Sequence, residues 1–180
     1  LCVAIPDGVS DQDAATVTLG AIALQGVRRA EPTLGESIVV IGLGAIGQLT
    51  VQLLKSAGAR VIGLDLDDTR LAEAQASGLD VGLHPGGDEI AGVQRLTDGY
   101  GADAVIVTAA SPSDEIISTA FRMCRRKARV VLVGDVGLDL KREDIYAKEL
   151  DLRVSTSYGP GRYDRNYEEE GLDYPIGYVR

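Results

Sequence analysis

The sequence predicts an α/β domain: a doubly wound parallel sheet of six strands with helices on both faces. Three observations carry this expectation. Short runs rich in β-branched residues recur along the chain, the strongest being the unbroken Ile38-Val39-Val40-Ile41, as a strand covered on both faces requires. Stretches with helical apolar spacing alternate with those runs. The core must also be aliphatic, because apolar residues make up 45% of the chain but aromatics only 4%, seven Tyr and one Phe with no Trp.

Taken in order, residues 2–7 read as an extended approach, with Pro6-Asp7-Gly8 as a turn. Ser10 with Asp13 three places on resembles a capping box, and one helix is expected to run to Arg29, weakened at Gly20 and Gly26. The first strand spans 38–41. A helix follows over 46–57, with Ile46, Leu49, Leu53 and Leu54 near one face and Gly58 as its stop. The second strand is 61–64. Asp67 and Asp68 lead a helix over 69–77, their charge suiting its dipole.

The third strand, 80–83, is followed by the turn His84-Pro85-Gly86-Gly87 and a helix over 88–97. The fourth strand is 104–108, then a helix over 113–124 that carries Cys124 on its apolar side. The cations Arg122, Arg125, Arg126, Lys127 and Arg129 are read as favourable charges at that helix's C-terminus. The fifth strand is 129–133, a helix covers 141–148 and the sixth strand is 152–157. Residues 158–180 hold five of the seven tyrosines without helix or strand period. That stretch is read as an irregular segment packing on its own domain or a neighbour.

Six strands with right-handed crossovers give the sheet order 3-2-1-4-5-6 of a Rossmann domain, numbering strands along the chain. Gly42, Gly44 and Gly47 stand in G-x-G-x-x-G spacing between the first strand and its helix. Gly42 permits the turn, Gly44 admits a diphosphate to the backbone, and Gly47 lets the helix pack closely. The amides of Ala45 and Ile46 open the helix, where free N–H groups favour an anion. Asp65 lies 23 positions after Gly42, near the distance at which an acid accepts hydrogen bonds from ribose hydroxyls. In the expected topology the first and fourth strands flank the ligand crevice, so Gly42, Leu43, Gly44, Ala45, Ile46, Asp65 with Leu66, Thr108, Ala109, Ala110, Val133, Gly134 and Asp135 face a dinucleotide.

Other chemistries find little support. A net charge of −9 argues against a nucleic-acid partner. Two cysteines and one histidine make neither a disulfide framework nor a zinc constellation. No run is apolar enough to span a bilayer, and the stretch from Leu1 shows no charged leader of a signal peptide; a cytoplasmic location with no membrane partner is expected. His84 is read as a turn residue and the run Glu168-Glu169-Glu170 as a solvated face. Tyr146 and Lys148 are two apart, not four, and no Ser has a base beside it, so no catalytic residue is assigned. A methyltransferase using S-adenosylmethionine ranks low, since Val39-Val40-Ile41 stands where that fold places an acid.

The stretches IPDGVSDQDAA, IVVIGLGAIGQLTVQLLKSAGARVIGLDLDDTRL, ADAVIVTAA and RVVLVGDVG resemble the medium-chain dehydrogenase/reductase superfamily, the zinc-type alcohol dehydrogenase relatives. The resemblance covers that family's nucleotide-binding domain. It implies a piece of a larger protein whose GroES-like catalytic domain precedes this segment and resumes after it. The stretch STSYGPGRYD…DYPIGYVR is similar to a bacterial branch fused to a Gfo/Idh/MocA-like sugar oxidoreductase and linked to polysaccharide biosynthesis.

By this resemblance Gly42, Gly44, Ala45 and Ile46 hold the diphosphate, and Asp65 holds the ribose and selects NAD over NADP. Arg70 reaches the adenosine ribose, Thr108 and Ala109 give adenosine-side contacts, and Val133 and Gly134 nicotinamide-side contacts. No zinc is expected in this segment, since Asp13-Ala14-Ala15-Thr16 offers no Cys where the family places a ligand. A homodimer through the sheet edge at the sixth strand is also implied. Residues 1–157 would form the dinucleotide-binding domain and 158–180 a Tyr-rich connection toward the catalytic domain. The expected function is the NAD(H)-binding part of an oxidoreductase acting on an alcohol or carbonyl, a sugar among them. A non-catalytic NAD(H)-sensing module, using the same fingerprint, is the alternative.

Overall fold

The computed structural model describes residues 4–172. Cys2, Tyr174 and Tyr178, on which expectations were placed, lie outside the described residues. Six parallel strands form one sheet in the order β3-β2-β1-β4-β5-β6, as expected. They are β1 (Ser37–Ile41), β2 (Arg60–Leu64), β3 (Val81–Leu83), β4 (Ala102–Val107), β5 (Cys124–Leu132) and β6 (Asp151–Val154). Between β1 and β2 the register runs from Ser37 opposite Arg60 to Ile41 opposite Leu64; between β1 and β4, Ile41 meets Val107.

Because strand side chains alternate, β1 feeds two cores. Ile38 and Val40, with Val61, Ile106 and Val131, pack under α2 (Val17–Ala30), α3 (Ala45–Ser56) and α4 (Asp68–Ala76), which supply Val27, Val51, Leu54 and Leu71. Val39 and Ile41, with Ile62, Val105 and Val130, pack under α5 (Glu89–Leu96) and α6 (Glu115–Met123), which supply Val93, Ile117 and Phe121. Gly26 of α2 is one reason the first layer lies close: a Cβ there would sit 2.7 Å from Val133 Cγ2.

Several expectations are corrected. The first helix is two, α1 (Asp11–Ala15) and α2, broken at Thr16, whose hydroxyl donates to the Asp13 carbonyl. Ser10 caps α1 by accepting from the Asp13 N–H, as the capping box predicted. Cys124 is buried as expected but begins β5 rather than ending a helix. Ala102 pairs with Cys124 and Ala104 with Arg129, so β5 bulges between them, with Lys127 at φ 58°.

The basic cluster therefore does not cap a helix: only Arg122 belongs to α6. Arg125 pairs with Asp103 at 2.6 Å, Arg129 with Glu36 at 2.6 Å, and Lys127 with Glu149 at 3.6 Å. The helix expected over 141–148 is the short α7 (Arg142–Ile145) followed by a 3₁₀ turn. Lys148 in that turn donates to the carbonyls of Phe121, Arg122 and Cys124, tying off the end of α6.

The segment after β6 is not wholly irregular. It contains α8 (Arg165–Glu168), capped by Asp164. Glu168 is no mere solvated acid: it accepts from Tyr158 and Arg162 and so closes the segment on itself. The segment also meets its own domain, since a Cβ on Gly159 would lie 2.4 Å from the side chain of Gln25 on α2.

Candidate functional site

The site grows from the exit of β1. Gly42 adopts φ +92°, which only glycine takes without strain, and any Cβ there would meet Ala109 Cα at 2.7 Å. Thr108 secures the turn from the β4 side by donating to the Gly42 carbonyl at 2.5 Å. Gly47 presses onto the same carbonyl, where a Cβ would lie 2.0 Å from its oxygen. Gly44 differs: a Cβ there would meet nothing within 4 Å. It is the N-cap of α3, makes no side-chain cap hydrogen bond, and accepts the first intrahelical bond from Gln48. The first-turn N–H groups of α3 therefore open beside unfilled space, which suits an anion.

Asp65 follows β2 and is buried. Its Oδ2 accepts from the Leu43 N–H at 2.6 Å and its Oδ1 from the Asp67 N–H at 2.9 Å, so the carboxylate braces the glycine turn as well as bordering the cleft. Arg70 Nη1 stands 3.7 Å from Asp65 Oδ2. Asp67 caps α4 by accepting from Thr69 and Arg70; the Thr69 N–H foremost holds its carboxyl below the usual range. His84, after β3, meets Asp68 at 2.8 Å at the surface, in keeping with a turn role.

These features border one open cleft of about 640 Å³ at the carboxyl ends of the strands. Of the residues singled out from sequence, it brings together Gly42, Gly44, Asp65, Leu66, Arg70, Thr108, Ala109 and Ala110. The others lie differently. Leu43 is fully buried and its N–H is committed to Asp65. Ala45 and Ile46 open α3 beside the cleft rather than lining it. Val133 packs against Gly26, and Gly134 backs onto Ala109, whose carbonyl oxygen a Cβ would meet at 2.0 Å; neither lines this cleft.

Sequence reasoning missed the opposite wall: Pro85 and Glu89 from the β3–α5 side, and Ser111, Glu115, Ile116 and Thr119 from the β4–α6 side. The only signal for them was their position after β3 and β4, on the same edge as Asp65. Among the described residues, no group of three or more His, Cys, Asp or Glu side chains could hold a metal ion. Nor is any described helix long and apolar enough to cross a membrane.

Comparison with known proteins finds dehydrogenases. The family model described as zinc-binding dehydrogenase matches residues 45–170. Sorbitol dehydrogenase of Halalkalibacterium halodurans is 32% identical over 164 residues, covering 89% of this chain and 48% of that protein. D-guloside 3-dehydrogenase of Escherichia coli is 41% identical over 106 residues, 58% of this chain and 30% of that protein. Among solved structures, 2R,3R-butanediol dehydrogenase of Bacillus subtilis superposes with a TM-score of 0.78 at 27% identity, over 87% of this chain and 45% of that one. The chain thus spans half or less of the length of these relatives.

Proposed function

The chain belongs to the zinc-binding dehydrogenase family, and on that premise we propose that it is the NAD(H)-binding part of an oxidoreductase whose substrate is an alcohol or a sugar-like polyol. The observation that carries the reading is one cleft shared by the open Gly44, the start of α3 and the carboxylate of Asp65. The nicotinamide ring of such a dinucleotide, when bound, supplies or accepts the hydride.

The first-turn amides of α3, at Ala45 and Ile46, hold the diphosphate, and Gly44 lets it approach because no side chain intervenes. Asp65 accepts from the ribose hydroxyls with the lone pairs left after Leu43 and Asp67 are served. The same carboxylate repels a 2′-phosphate, which favours NAD over NADP, and Arg70 steadies it from the cleft side. Thr108 and Ala109 border the adenosine half, while Val133 and Gly134, at the exit of β5, stand toward the nicotinamide half.

Residues 1–157 make up this binding domain, and 158–180 lead toward a catalytic domain that supplies the substrate wall; no zinc ligand is contributed from this segment. The exposed β6 edge, with Val154 and Leu152 on it, offers a surface for a second copy. A cytoplasmic location fits the reading. Titration calorimetry tests it: the chain should bind NAD(H) and prefer it to NADP(H) without turnover. Absence of binding at millimolar NAD, or a clear preference for NADP, would overturn it.

A further inference from the structure

The cleft that holds Asp65 carries a second fixed carboxylate. Glu89 opens α5, and its Oε2 accepts from the N–H groups of Gly86 at 3.0 Å and Gly87 at 2.6 Å. Two backbone donors from one turn hold the group still, so it meets a ligand already oriented. They use about two of its roughly four accepting positions. Pro85 and Ile116 line the same cleft and offer apolar surface of the kind that seats a flat ring. Burial raises the carboxyl's proton affinity, but the hydrogen bonds from its own and the two glycine N–H groups outweigh that and keep it charged at neutral pH. A charged carboxylate only accepts, and rejects another acceptor placed opposite it.

A dinucleotide with its diphosphate at the β1 exit and its ribose at the β2 exit directs its base onward toward the β3 exit, where Glu89 lies. We propose that Glu89 reads that base, accepting a hydrogen bond from the 6-amino group of adenine and discriminating against purines with a carbonyl oxygen at that position. The inference rests on the dinucleotide reading of the cleft and adds a specificity-determining residue to it.

The test compares binding of NAD and nicotinamide hypoxanthine dinucleotide, which has oxygen in place of the amino group, to the 180-residue chain by calorimetry. The wild-type chain should favour NAD by about tenfold or more, the usual worth of a hydrogen bond to a charged group. In Glu89→Gln the amide oxygen can still serve Gly86 and Gly87 while its NH₂ faces the base. NAD should therefore weaken, the hypoxanthine analogue strengthen, and the gap close or invert. Equal affinity for the two ligands in the wild type, or an unchanged preference in a folded E89Q chain, overturns the role of Glu89 while leaving the cleft reading standing. Failure of both ligands to bind the wild-type chain overturns the cleft reading and the inference together. The wild-type comparison needs no variant, so a poorly folded E89Q would not blunt it.

Discussion

Asp65 should be a structural residue as much as a binding one, and its two replacements, Ala and Asn, should separate the roles. In Asp65→Ala the Leu43 N–H, in the interior, and the Asp67 N–H, partly buried, both lose their acceptor. An orphaned buried donor costs about 1–3 kcal/mol, with the partly wetted one near the low end, so the loss should be about 2–4 kcal/mol. That is a large share of the roughly 5–15 kcal/mol that holds a typical domain folded.

Asp65→Asn keeps one oxygen, which should turn to the buried Leu43 N–H and limit the loss to about 1 kcal/mol. It also removes the negative charge, so NAD should weaken by about tenfold or more while NADP changes less, narrowing the preference. Urea unfolding reads the first effect: with a slope of about 2–3 kcal/mol/M, the Ala midpoint should fall by about 1 M and the Asn midpoint by less than half that. An Ala variant with the wild-type midpoint would refute the bracing role. An Asn variant with an unchanged NAD-to-NADP ratio would refute the selective one.

Three further outcomes follow from other sites. Gly47→Ala should lower stability by about 1–3 kcal/mol and loosen NAD together, because its Cβ would drive into the Gly42 carbonyl oxygen and lever the turn open; thermal unfolding and calorimetry check this. Cys124, its thiol pushed up to about 12 by burial, should resist iodoacetamide at pH 8 in a folded Cys2→Ser background and react once unfolded. Burial acts to raise the carboxyl of Asp80, yet Lys55 at 2.7 Å and the Val61 N–H hold it below the usual range. Its stabilisation is thus present above the unfolded value of about 3.9 and lost as pH falls through the lower folded value. Urea midpoints taken from about pH 5 downward should fall less steeply in Asp80→Asn.

The sheet was legible because strand-like runs alternated with helical stretches, and right-handed crossovers then implied the order. The near wall of the cleft was legible for the same reason: Gly42, Gly44 and Asp65 sit at spacings set by one β–α–β unit. Cys124 misled because a thiol followed by Arg125-Arg126-Lys127 reads as the end of a helix. What decides its strand state is non-local, the pairing with Ala102 and the bulge at Lys127. The bracing hydrogen bonds of Asp65 were likewise invisible, since they join Leu43 and Asp67 to a side-chain rotamer, not to a sequence period. Glu89 and Ile116 escaped because they stand in the first turns of α5 and α6, after two different strands, and line one cleft only when the sheet is assembled.

A ¹⁵N-labelled chain titrated with NAD probes most directly whether a single dinucleotide bridges the start of α3 and the end of β2. Gly44, Ala45 and Ile46 should shift together with Leu43, Leu66 and Asp67 along one saturation curve, and NADP should reproduce the first group far more weakly. Shifts confined to either group alone, or centred on residues outside this cleft, would contradict it.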